Sequence, residues 1–152
     1  MTISFKKIKF QDKDILFKWS NLKSVRKNSL NDKKINYAEH IRWMNRYLNK
    51  DYKNFGKLVF VKKKPIGLVR IDKKNKDYLI SYLIAPKYRK KGYATKAVEL
   101  FINDLKNVKK ITAIVKNNNK ASIKIFEKLN FKLVSKTNKY HKFKYNAKNR
   151  KN

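Results

Sequence analysis

Residues 3–10 alternate apolar and polar positions, the period of a half-buried strand. Asp12 can cap a helix running to about Asn21, with Ile15, Trp19 and Leu22 on one face. Residues 23–36 are polar and aperiodic and read as a loop. Asn36 can cap a second helix to about Asn49, with Ile41, Met44 and Leu48 inward. Residues 58–61 and 66–71 are short strands, joined by the turn Lys62-Lys63-Lys64-Pro65, with Gly67 just inside the second. Residues 77–85 form a longer strand. Ala94, Ala97, Val98, Phe101 and Leu105 then repeat at helical spacing over residues 93–105. A fifth strand covers 110–115. Asn119 caps a further helix with Ser122, Ile125, Phe126 and Leu129 on one face, and Asn130 stands where that helix ends in a left-handed residue. Residues 131–135 and 140–145 alternate and can pair as a hairpin across Thr137-Asn138-Lys139. The order β-α-α-β-β-β-α-β-α-β-β describes an α/β (α+β) chain, a mixed sheet with helices on both faces.

A length of 152 residues, 41% of them hydrophobic, fits one domain with one core. We assign it to residues 1–146 and expect the basic tail 147–152 to be disordered. The chain has no cysteine, which excludes disulfides and thiolate metal sites, and no metal is expected. The N-terminus lacks a signal-peptide core and no apolar run reaches the length of a membrane span, so the cytoplasm is the expected location.

Lys and Arg number 42 against 10 acids, a net charge of +32. Three readings stay open: a nucleic-acid partner, polyanionic small ligands, or a compositional bias toward residues with A/T-rich codons. Lys, Asn, Ile, Phe and Tyr, abundant here, all have such codons. The lysines are scattered over nearly every segment and the aromatics recur at buried spacings, which argues against a dedicated nucleic-acid surface.

The densest chemical signal is the passage from Tyr82-Leu83-Ile84-Ala85-Pro86 through Tyr88-Arg89-Lys90-Lys91-Gly92 into the helix opened by Tyr93-Ala94-Thr95. A strand ends at a proline, turns through cations and one of only 3 glycines, and starts a helix. Such a turn presents consecutive N–H groups at the positive end of a helix dipole, where a phosphate or pyrophosphate can sit. A second block, Asn119-x-x-Ser122 running to Asn130-Phe131, follows the fifth strand.

Arg89-x-x-Gly92-x-Ala94 resembles the coenzyme A loop of the GNAT superfamily of N-acetyltransferases. The second block resembles the same family's Asn-x-x-Ser…Gly-Phe signature, with Asn130 in place of glycine, and the element order matches the GNAT fold, whose sheet is mixed and mostly antiparallel. The resemblance implies acetyl-CoA as acetyl donor. It implies a pantetheine arm lying like an added strand against the backbone of Leu83, Ile84 and Ala85, where the fourth and fifth strands part. The pyrophosphate would rest on the N–H groups of Lys91, Gly92, Tyr93 and Ala94, with Arg89 over it and Lys90 and Thr95 alongside. Asn119, Ser122 and Phe126 complete the implied coenzyme set; Asn119 reads equally as a plain helix cap.

The proton-handling residues of well-known branches do not carry over. The family's acid tyrosine corresponds to Phe126, and its glutamate bases correspond to Ile114 and Tyr78. Tyr82, beside the implied coenzyme, is the first catalytic candidate; a core tyrosine is the other reading. In the N-terminal half, Val25-Arg26-x-x-Ser29, Ile35, Glu39-His40-x-x-Trp43 and Gly67-Leu68-Val69-Arg70-Ile71-Asp72 resemble acetyltransferases of amino-sugar nucleotides. The nearest are those that acetylate the 4-amino group of a UDP-linked 4-amino-4,6-dideoxy sugar on the route to pseudaminic acid. That implies an acceptor site of Arg26, Ser29, His40, Trp43 and Arg70, with His40 also able to take the amine's proton. The bland readings are that Trp43 seals the core, His40 bonds the loop, and Arg70 pairs with Asp72. The expected activity is transfer of acetyl to a primary amine of a small molecule, by a monomer or homodimer without a membrane partner. Acetylation of a protein N-terminus, a basic nucleic-acid-binding module and a coenzyme-binding protein without turnover are the alternatives.

Overall fold

The computed structural model describes residues 2–49 and 54–147. Seven strands form one sheet: β1 (Ser4–Lys7), β2 (Asn54–Val61), β3 (Lys64–Lys74), β4 (Asp77–Ile84), β5 (Lys110–Lys116), β6 (Lys132–Lys136) and β7 (Tyr140–Asn146). Their spatial order is β1-β2-β3-β4-β5-β7-β6, antiparallel everywhere except the parallel contact of β4 with β5. Five α-helices accompany it among the described residues: α1 (Lys13–Ser20), α2 (Lys23–Asn28), α3 (Tyr37–Leu48), α4 (Tyr93–Asp104) and α5 (Lys120–Lys128).

The strand period divides the core in two. On one side of the sheet, Leu58 and Leu68 pack with Leu16 and Trp19 of α1 and Met44 of α3. On the other, Val59, Val69, Ile71, Ile80 and Ile84 pack with Ala97, Val98 and Phe101 of α4 and with Ile123 and Phe126 of α5. Ile15 and Leu22 flank the first cluster, half-buried, and Met44 is the fully buried residue of the trio expected to face inward from α3.

Several local expectations change. Residues 23–28 are a helix, not part of a loop. Its one apolar residue is Val25, so no period marks it, and Arg26 holds it from the side. Asp12 does not cap α1; its Oδ2 accepts from the Lys9 N–H at 2.8 Å and fixes the preceding turn instead. Asn36 does cap α3, accepting from the Glu39 N–H at 2.8 Å, and its own amide donates to Glu39 Oε1. β2 begins earlier than expected because Phe55 packs on Phe101, ring centres 5.7 Å apart. Of the expected tail, Ala147 is tied, its N–H donating to the Lys109 carbonyl at 2.7 Å; residues 148–152 lie outside the described residues.

Among the described residues, six other than glycine adopt left-handed backbone: Lys62, Lys63, Asn75, Lys90, Asn107 and Asn130. Lys62 and Lys63, at φ 50° and 66°, make the two-residue turn between β2 and β3, a conformation that matches the twist of the flanking strands. Asn130, at φ 69°, ends α5 as its position predicts. Gly67 lies opposite Ile84 in the β3–β4 register, with no room for a side chain against the Leu83 carbonyl. No helix among the described residues is long and apolar enough to cross a membrane.

Candidate active site

β4 and β5 pair through Tyr78↔Ile111 and Leu79↔Thr112 and then diverge. β5 continues to Lys116 on β7 while β4 continues to Ile84 on β3, so a gap opens between them. It leads into a cleft of about 850 Å³ that reaches from the α4 N-terminus to α2 and α3.

The phase of β4 decides which backbone groups face the gap. Ala85 donates its N–H to the Ile66 carbonyl at 2.8 Å, and in an antiparallel ladder alternate residues bond to the same neighbour. Leu83, opposite Leu68, therefore turns its amide groups to β3 as Ala85 does, and Tyr82 and Ile84 turn theirs to the gap. This corrects the expectation for Leu83, whose backbone groups are committed to β3, and for Ala85, whose N–H is held by Ile66 and whose carbonyl accepts from the Tyr88 N–H at 2.9 Å. Ala85 also lies off the cleft lining, whereas the Leu83 side chain reaches it. The Ile84 carbonyl is occupied too, by Arg89 Nε at 2.8 Å. Ile84 N–H and the peptide groups of Tyr82 remain.

Past a single turn of 3-10 helix at Pro86–Tyr88, Lys90 (φ 61°) and Gly92 (φ 83°) take left-handed conformations that coil the chain into α4. The first helical bond there is Lys96 N–H to the Gly92 carbonyl at 3.2 Å. The N–H groups of Tyr93, Ala94 and Thr95 have no helical acceptor, and no turn bond uses those of Lys91 or Gly92. Lys90, Gly92, Tyr93, Ala94 and Thr95 line the cleft; the Lys91 side chain is exposed and does not. The Arg89 guanidinium is tied inward, its Nη1 donating to Ser24 Oγ at 2.9 Å, and so joins this turn to α2. A cradle of unpaired N–H groups beside Lys90 fits a diphosphate.

Across the gap, Asn119 Oδ1 caps α5 by accepting from the Ser122 N–H at 3.3 Å. Its Nδ2 has no partner among the described residues and can donate to an amide carbonyl. Ser122 Oγ shares a hydrogen bond with Tyr82 Oη, and the Tyr82 ring packs 6.1 Å from that of Phe126, centre to centre. Burial pushes the Tyr82 hydroxyl pKa above its usual 10, against the opposing effects of Ser122 and Arg89, so it keeps its proton at neutral pH.

The acceptor end departs further from expectation. Arg26 is a loop clamp: Nε donates to the Ser20 carbonyl at 2.7 Å, Nη1 to the carbonyls of Asn31 and Lys33, and Nη2 to Ser29 Oγ at 3.0 Å. Ser29 in turn donates to the Val25 carbonyl at 2.7 Å. Both residues border the cleft with their polar groups already spent on the chain. His40 is 1% exposed, and its Nε2 lies 2.7 Å from the Lys13 carbonyl. A carbonyl only accepts, so Nε2 carries the proton and the ring ties α3 to the start of α1. With Nε2 carrying the proton, Nδ1 of this buried ring is the atom left to take the amine's proton. Trp43 stacks on His40 at 5.6 Å, and the Arg70 guanidinium lies 5.5 Å from the indole centre. Arg70 pairs with Asp72, which also accepts from Tyr47 Oη.

Sequence reasoning passed over Arg46, Lys74 and Leu30, all on the cleft wall. Arg46 follows Trp43 by three residues on α3, and Lys74 follows Arg70 by four on β3, so face-sharing along each element was the signal available.

His40 makes stability pH-dependent. Burial is the main cause lowering its pKa below 6.5, against the Lys13 carbonyl and Asp14, which raise it. The unfolded chain thus binds a proton below pH 6.5 that the folded chain resists, and stability falls as pH drops through that range. Urea midpoints for the unaltered protein should decline between pH 7 and pH 5, and His40→Gln should flatten that slope; an unchanged slope would refute the assignment.

A family model for the acetyltransferase (GNAT) domain matches residues 3–132. No curated protein sequence matches the chain. Among solved structures, the spermidine N-acetyltransferase of Vibrio cholerae in complex with CoA and spermine superposes with a TM-score of 0.85 at 15% identity, covering 96% of each chain. A domain from Methanocaldococcus jannaschii gives 0.81 at 23% identity, covering 95% of this chain and 98% of that one. An acetyltransferase from Thermus thermophilus gives 0.79 at 17%, covering 96% and 97%. With the family model matching most of its length, the chain belongs to the GNAT acetyltransferases, as an acetyl-CoA-dependent N-acetyltransferase.

Proposed function

We propose that the acceptor is an anionic amine, the 4-amino group of a nucleotide-linked amino-deoxysugar. The charge of the cleft wall carries this reading. Six cations line it, Arg26, Arg46, Arg70, Lys74, Arg89 and Lys90, against two acids, Glu39 and Asp72. Both acids are engaged, Glu39 by Asn36 and Asp72 by Arg70 and Tyr47. Such a wall attracts a diphosphate and repels a polyamine of the kind bound by the Vibrio cholerae neighbour. Arg46 and Lys74 are exposed and close no ion pair among the described residues, which leaves them to a ligand. Leu30, Ile35 and Trp43 supply an apolar wall for a deoxysugar ring.

Bound acetyl-CoA supplies an acetyl group activated as a thioester. The chain's own part is to hold it and admit the amine. N–H groups from Lys91 to Thr95 would hold the diphosphate, and Asn119 Nδ2 and Ile84 N–H the pantetheine amides. The amine's proton leaves to His40 Nδ1 or directly to water.

Release of free thiol tests the reading with three acceptors: a UDP-linked 4-amino-4,6-dideoxy sugar, spermidine, and a peptide with a free N-terminus. The sugar nucleotide should be turned over fastest. Reversing Arg46 and Lys74 together to Glu should raise its KM about tenfold or more with kcat nearly unchanged, the mark of lost uniform binding. Preferential turnover of spermidine or of the peptide would overturn the proposal.

A further inference from the structure

The reaction expels a poor leaving group, a thiolate, and the residue the family uses to protonate it is here Phe126. The structure offers a replacement from another element. Tyr82 projects from β4 into the same cleft, packs against Phe126, and bonds through its hydroxyl to Ser122 on α5. Of the two, Ser122 is 7% exposed and sits in the first turn of α5, with its N–H already held by Asn119. Tyr82 comes from the strand whose peptide groups face the gap.

We propose that the Tyr82–Ser122 hydroxyl pair is the proton donor to the departing sulfur, with Tyr82 Oη as the donating atom and Ser122 as its positioning residue. This rests on the acetyl-CoA-dependent reaction but not on which amine is the acceptor. In the pair, Ser122 Oγ donates to Tyr82 Oη, and the tyrosine's own proton then turns toward the cleft. As the new C–N bond forms and the C–S bond breaks, the sulfur takes that proton. The tyrosinate left behind is held by the Ser122 hydroxyl and the positive charge of Arg89, the charged group acting on it. Water returns a proton once the thiol departs. The proton lost by the acceptor amine ends in water as well, so amine plus thioester gives amide plus thiol.

A donor aimed at sulfur must also be felt by the thiol of the bound product, which gives a measurement independent of any acceptor. The probe is CoA itself, bound to the full chain, and the observable is its rate of alkylation by iodoacetamide as a function of pH. In the unaltered protein the thiol should titrate below its value in free CoA. Tyr82→Phe should raise that midpoint by about one to two pH units, the effect of removing one hydrogen bond to a charged group. Ser122→Ala should raise it by less. Far-UV circular dichroism should be unchanged in both variants, showing that they fold, and calorimetry sets the CoA concentration that saturates each. An unmoved midpoint in folded, CoA-saturated Tyr82→Phe overturns the assignment alone. Failure of the unaltered protein to bind CoA overturns the coenzyme reading and this assignment with it.

Discussion

Gly92→Glu should lower acetyl-CoA affinity about 100-fold or more while leaving the protein folded. Gly92 precedes α4 at φ 83°, so a side chain there costs about 1–2 kcal/mol of backbone strain. The fold already accepts non-glycine residues in that conformation at six positions, so the strain is survivable. The carboxylate is the larger effect. It would stand among the N–H groups of Lys91 to Thr95 and take the bonds a diphosphate needs. Each factor of ten in affinity is about 1.4 kcal/mol, so losing two charge-assisted bonds suffices for the expected fall. Gly92→Ala is the control, adding the strain without the charge, and should lose far less. Titration calorimetry with acetyl-CoA decides it; unaltered affinity in the Glu variant would mean that the coenzyme does not lie on this turn.

Gly67→Ala should destabilise the protein by about 3 kcal/mol or more. A Cβ at this position would collide with the Leu83 carbonyl oxygen and come within 2.8 Å of Ile84 Cδ1 and 3.2 Å of Ile84 Cα. Two of those three atoms are backbone, and no rotamer change relieves a clash with backbone. β3 would have to move off β4 at the first pair of an eight-pair ladder, in a sheet that lies between the two halves of the core. For a chain of this length the loss corresponds to a fall of roughly 6–12 °C in Tm. Urea and thermal midpoints provide the check, and a loss below about 1 kcal/mol would show that the ladder flexes there. The same displacement would shift the strand whose free peptide groups face the gap, so coenzyme affinity should fall along with stability.

What was legible in the sequence is what the backbone encodes over a few neighbours. Gly92 in the turn that opens α4, Asn36 and Asn119 as caps, Asn130 as the end of α5, and the strands from β2 to β7 all follow from local chemistry and period. The parting of β4 and β5 came from the resemblance, and the short β4–β5 ladder agrees with it. The acceptor side was not legible, and the reason is that its donors are already occupied. Arg26, Ser29 and His40 have the residue types of a binding site, but Arg26 and Ser29 bond to carbonyls four to seven residues away in a stretch without period, and His40 bonds to that of Lys13, 27 residues back. A sequence shows a donor without showing what already receives from it. Ala85 was misread for a related reason: strand membership was plain, but which neighbour its N–H faced depended on register, which one strand's pattern does not contain. α2 escaped because one valine in six residues makes no period.

The left-handed lysines and asparagines have one more implication. Turns that demand this geometry favour glycine, and the protein fills six of them with residues whose Cβ resists it. Its margin against unfolding is therefore thinned at the corners and not in the interior. All six positions are exposed, so glycine there would relieve torsional strain along the rim of the molecule, and heat tolerance could be raised without touching a single buried side chain.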